Sequence, residues 1–198
     1  MSTKLIVDVK DITPEWVADL QEQYQDATLE INIISSKGVQ QMTEERFWHI
    51  ISLLDWQKED DDEIIAPAVE ALCDHEAEDI YRFQDILAEK LFHLDRQAFA
   101  EQIGERRYGG DRNFSVDVFL YARACVVANG KDFYQKVLQD PTKMPKSFTF
   151  EALLYLAPQA FEKKTSKSWS YHPQKSYETF SNREGWGGKS WMDRILSI

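Results

Sequence analysis

The chain has 198 residues, of which 43% are hydrophobic and 29% charged, with a formal net charge of −11. That composition belongs to a folded domain with a buried core rather than to a disordered chain, and no apolar run approaches the roughly 18 residues of a membrane span. Residues 55–105 alone hold 4 basic and 16 acidic groups, a balance of −12, and a field of that sign repels nucleic acid and anionic membrane while attracting a basic protein partner.

The opening "MSTKLIVDVKD" is too short in its apolar part, and too soon acidic, for a secretory signal. The expected location is the cytoplasm. "LIVDVK" alternates Leu5, Val7 and Val9 against Ile6, Asp8 and Lys10, the period of a half-buried strand. "DITPEW" then opens a helix, with Thr13 as cap and Pro14 at the first helical position. "TLEINII" alternates again. Residues 1–35 therefore read as a small β-α-β element, and an unpaired edge there would offer a route to a homo-oligomer. Polar "SSKGVQQ" follows as a linker.

From Thr43 the period becomes helical, with Phe47, Ile50, Ile51 and Leu54 on one stripe. "KEDDDE" reads as a loop or as the acidic first turn of the next helix, where negative charge suits the dipole and Pro67 is tolerated. Ile80, Phe83, Leu87 and Leu91 form a further stripe, Asp95 is placed to cap a short helix, and the two glycines of "YGGD" mark a turn. The stretch "SVDVFLYARACVVANG" reads as a helix capped by Ser115 or Asp117, with Val118, Ala122, Cys125 and Val126 inward and Gly130 ending it. "KDFYQKVLQ" gives another helix stopped by "DP", and "FEALLYLAPQAFEKK" gives the last, with a kink or break at Pro158. Residues 166–198 carry Trp169, Trp186 and Trp191 among polar residues, as expected of an irregular strap ending in a short helix through Trp191, Ile195 and Leu196. The fold expected is mainly α, a bundle-like helical domain at 43–165 with the small β-α-β element in front, α+β overall.

The order "ERFWHII", "IYRFQDIL", a double glycine and "SVDVFLYARACVVANGKDFYQKVLQDPTKMP" resembles the bacterial family known as domain of unknown function 4240. The positions that carry the resemblance are Phe47, Trp48, Ile51, Phe83, Gly109, Gly110, Asp117, Phe119, Arg123, Gly130, Phe133, Asp140 and Pro141, within residues 43 to 165. The chain departs from that pattern at Val116, where the family tends to place a second acid, and in "ACVVA", where a Trp usual after the arginine is missing. The resemblance implies a helical domain and no established activity.

No GxSxG, HExxH, GxGxxG or paired Cys-His arrangement occurs, and no cofactor or metal is expected. Cys73 and Cys125 read as buried free thiols. Trp48, Asp117 and Arg123 are candidates for either a pocket or a structural role, and a buried arginine is more often paired to hold the fold. Asp60, Asp61, Asp62 and Glu63 are candidates for partner binding. The function expected is therefore a cytoplasmic, non-enzymatic binding protein acting through an acidic surface on a basic partner, with an immunity-type inhibitor as its concrete form. The alternative is a small-ligand-binding protein or enzyme with a pocket around Asp117 and Arg123.

Overall fold

Helix signals in the sequence become eight α-helices among the residues that the computed structural model describes, 12–24 and 41–188. The chain divides into two units, Met1–Gly38 and Val39–Ile198. In the first, α1 (Pro14–Gln23) begins where expected, with Thr13 Oγ1 accepting from the Trp16 amide at 3.2 Å. The strands expected at 5–10 and 28–34 lie outside the described residues. Every regular element that is described is helical, with no strand or sheet, so the α+β class is corrected to a helical one.

The second unit is built on α2 (Glu44–Ile51), α3 (Asp61–Cys73), α4 (Ala77–His93), α5 (Gln97–Ala100), α6 (Val116–Ala128), α7 (Lys131–Gln139) and α8 (Leu156–Thr165). Caps are local and fall where side-chain chemistry puts them. Thr43 accepts from the Arg46 amide, Asp60 from the Asp62 and Glu63 amides, and Ser115 from the Val118 amide. Gly130 takes a φ of 89° between α6 and α7, a conformation that disfavours any side chain. The stripe Ile80, Phe83, Leu87 and Leu91 is fully buried on α4.

Four local expectations need correction. Pro67 lies inside α3 rather than in its first turn; residue 67 faces solvent, where water can satisfy the carbonyl its missing N–H leaves behind. The helix expected across Pro158 is preceded by a 3₁₀ segment, Glu151–Tyr155, and Pro158 sits in the first turn of α8, where no amide bond is lost. On α6, Val118 and Cys125 are only half-buried, while Phe119, Leu120, Ala122, Arg123, Ala124 and Val126 to Ala128 are buried. A helix apolar nearly all round packs as a central element and not along one stripe. Cys73 and Cys125 are free, as read, but half-buried.

Residues 166–188 run irregularly over α4, α6 and α8. The Tyr171 ring stacks on Tyr81 at 4.4 Å, Trp169 meets Phe161 edge-on at 5.4 Å, and Trp186 is buried against Phe114, Phe119 and Phe180. Gly185 passes so close to Arg96 that a Cβ would stand 2.3 Å from its Cγ, so a larger residue there would force Arg96 or the strap to shift. The terminal helix expected through Trp191 lies outside the described residues.

Tyr171 gives this strap a pH signature. Burial, and then donation of its O–H to Asp85 Oδ2 at 2.8 Å, push its phenol up to about 12. The unfolded phenol titrates near about 10. Its contribution is therefore complete below pH 10 and lost as pH rises from about 10 to 12. Tyr171→Phe should flatten part of the alkaline limb of a melting-point profile; an unchanged limb would remove Tyr171 from the strap's attachment.

Candidate functional site

Charge in this domain sorts into a sealed pair and an exposed edge. The sealed pair is Asp95 and Arg123, both with no exposed surface. Asp95 is not the helix cap expected of it. Arg96 stands at the cap position of α5, and the Asp95 carboxylate turns inward to accept from the Phe180 amide at 3.1 Å, the Asn182 amide at 2.9 Å and the Trp186 indole at 2.9 Å. Arg123, in the middle of α6, donates to the Leu91 carbonyl at 2.9 Å and to Thr179 Oγ1 at 3.0 Å, and its guanidinium lies 4.8 Å from the centre of the Phe119 ring. Thr179 passes its own proton to the Val116 carbonyl at 2.8 Å. Burial lowers the Arg123 guanidinium to about 10, opposed by the charges of Asp95 and Glu178, so it stays cationic at neutral pH. Both charges hold the same strip of strap, residues 179–186, against α4 and α6.

Asp117 is exposed and is not brought to Arg123. Trp48 is buried, its ring 5.4 Å from Tyr134, and its indole donates to Glu44 Oε1 at 3.1 Å. Glu44 also takes Lys90 Nζ at 2.9 Å; the Lys90 and Trp48 hydrogen bonds hold its carboxyl below the usual range, so the group fastens α2 to α4. Among the described residues no hydrogen bond or ion pair joins any two of Trp48, Asp117 and Arg123.

The exposed edge begins at Asp55, whose amide donates to the Ile64 carbonyl at 3.0 Å and ties the loop at 56–60 to the first turn of α3. Asp60 to Glu63 are all exposed. Asp60 is committed to its two capping bonds, Asp62 accepts from Gln159 at 3.3 Å, and Glu63 meets Lys58 at 3.7 Å. Among the described residues Glu59, Asp60, Asp61 and Asp62 have no ion pair. Trp56 leaves the same loop with its ring 5.1 Å from the buried Phe150 and 51% of its surface exposed. Phe148 and Tyr155, on either side of Phe150 in sequence, are 69% and 50% exposed. The Phe150 amide donates to the Tyr121 carbonyl at 3.0 Å, and Tyr155 donates to Glu151 Oε1 at 2.9 Å. Hydrogen bonding to the same Glu151 carboxylate, with burial and then the charges of Glu151 and Asp117 adding to it, pushes the Tyr121 phenol up to about 12.

The acidic run is legible in the sequence and the rings beside it are not. Trp56 and Tyr155 come from two segments about 100 residues apart, and no periodicity joins them. Large apolar rings left in water were the only local signal, visible in "LDWQKED".

Fold and site together define a helical domain closed by a C-terminal strap, with one acidic, aromatic edge. The chain belongs to the family described as protein of unknown function DUF4240, whose model matches residues 42–163. No curated protein and no solved structure matches it. Among the described residues no helix is long and apolar enough to cross a membrane.

Proposed function

We propose that this chain is a non-enzymatic, cytoplasmic binding protein whose acidic edge engages a basic protein partner, with an immunity-type inhibitor as the concrete form. The observation that carries this reading is the run Glu59 to Asp62, exposed and without an ion pair among the described residues. Of the 16 acids in residues 55–105 only Asp79 and Asp95 are buried, so nearly the whole local charge faces solvent. The dipole of α3 accounts for part of this, since carboxylates in a first turn stabilise a helix by about 0.3–1 kcal/mol each. It does not account for Glu59, which precedes the cap. The inhibitor form is an analogy: a toxin that cuts nucleic acid is basic where it grips phosphate. The rival pocket reading has Asp117 on the surface and Arg123 sealed beneath the strap.

The test uses wild type and a variant carrying Glu59→Gln, Asp60→Asn, Asp61→Asn, Asp62→Asn and Glu63→Gln. Asn caps a helix about as well as Asp, so the variant should melt within a few degrees of wild type. Both proteins are immobilised in extract of the native cell and eluted with salt. Wild type should retain a basic protein that the variant lets pass. Equal retention, or none by wild type, would sink the reading.

A further inference from the structure

We propose that the aromatic surface beside the acidic run, made by Trp56 and Tyr155 around Phe150 and Glu151, grips closely spaced arginine or lysine side chains of the partner. This rests on the basic-partner reading above and adds where that partner is held. The acidic run is suited to encounter, because exposed charges act mainly on association. It is poorly suited to holding, because solvated ion pairs contribute little. Rings supply what the carboxylates lack.

Trp56 and Tyr155 each leave about half their surface in water. Both are tied to one patch: Trp56 through the Phe150 ring, and Tyr155 through Glu151, the residue next to Phe150. Trp and Tyr faces attract cations through the ring quadrupole, and guanidinium or ammonium groups satisfy neighbouring carboxylates at the same time. An anionic segment would meet repulsion from Glu151, Asp117 and the acidic run. A neutral apolar segment would have to strip water from those carboxylates without replacing it. A second copy of this chain would bring another net charge of −11. Lys58 is the cation on this loop, and Glu63 already holds it. Charge complementarity therefore selects a cationic segment of a different protein.

The test titrates full-length protein with three synthetic peptides of about twelve residues, in which glycine alternates with arginine, with lysine or with glutamine. Calorimetry gives affinities, and the indole N–H resonances in NMR report the ring. The arginine and lysine peptides should bind saturably, shifting the one indole signal that disappears in Trp56→Phe, and the glutamine peptide should not. Trp56→Ala and Tyr155→Ala should each weaken binding about threefold to fivefold, and together by about tenfold or more. Trp56→Phe should keep most of the affinity. Thermal melts of all three variants should stay within a few degrees of wild type, since half of each ring is already in water. If the cationic peptides bind every ring variant as they bind wild type, the grip is refuted while the acidic reading stands. If wild type binds no cationic peptide, both fall. Equal affinity for the glutamine peptide would refute cation selectivity, and a doubled mass in light scattering that Trp56→Ala halves would assign the face to a second copy instead.

Discussion

Asp95→Ala should lower the free energy of unfolding by about 3–5 kcal/mol, the range for removing one partner from a buried charged network. Three donors lose their acceptor at once: the Phe180 amide, the Asn182 amide and the Trp186 indole. Phe180 is held at a φ of +76°, a region costly for a bulky side chain, and its amide bond to Asp95 helps to keep it there. Asp95→Asn retains one acceptor oxygen but sets an NH₂ against the remaining donors, so its cost should be large but smaller than that of alanine. Urea denaturation gives the energies. Amide exchange should show residues 176–188 opening in Asp95→Ala while α4 stays protected. A variant as stable as wild type would show that Asp95 does not hold the strap, leaving that to its rings and its bonds to Asp85 and Arg123.

Arg123→Ala should cost about 3–5 kcal/mol as well, through the two lost hydrogen bonds, a cavity beside Phe119 and a buried Asp95 left without a compensating charge. Arg123→Met fills most of the volume and brings no charge to desolvate, so it should recover part of the loss. Since both charges hold the same strip of strap, a double-mutant cycle between Asp95 and Arg123 should give a coupling of about 0.5–3 kcal/mol. If Arg123→Ala melts with wild type while partner or ligand binding is lost, Arg123 belongs to a site and the structural assignment fails.

Local chemistry was legible in the sequence and long-range chemistry was not. Thr13, Thr43 and Ser115 cap helices through amides three residues on, and that spacing can be read directly. Arg123 stands out as one charge in an apolar helix, and it is buried and hydrogen-bonded there. The inward turn of Asp95 is not legible, because an acid ahead of a short helix looks the same whether it caps that helix or serves amides 85 and 87 residues away. The central position of α6 does not show as a stripe, because the helix is apolar nearly all round. The strands assigned to residues 5–10 and 28–34 rested on alternation alone, and the described residues support a helical class instead. At the exposed edge the acidic run is plain as composition, whereas the ring of Trp56 meets Phe150 only through a contact between segments 94 residues apart.

One measurement bears most directly on the division between charge that holds the fold and charge that meets a partner. It is the pair of rate constants for the retained basic protein, followed from about 0.05 to 0.5 M salt on wild type and on the Glu59–Glu63 neutralised variant. Exposed charges lie beyond effective reach of one another at high salt, where the screening length falls to about 4 Å. The association rate of wild type should fall at least about tenfold across that range, with dissociation changing by less than about twofold, and the variant should associate slowly at every salt concentration. An association rate indifferent to salt, or equally steep in wild type and variant, would contradict the acidic edge as the partner's point of approach.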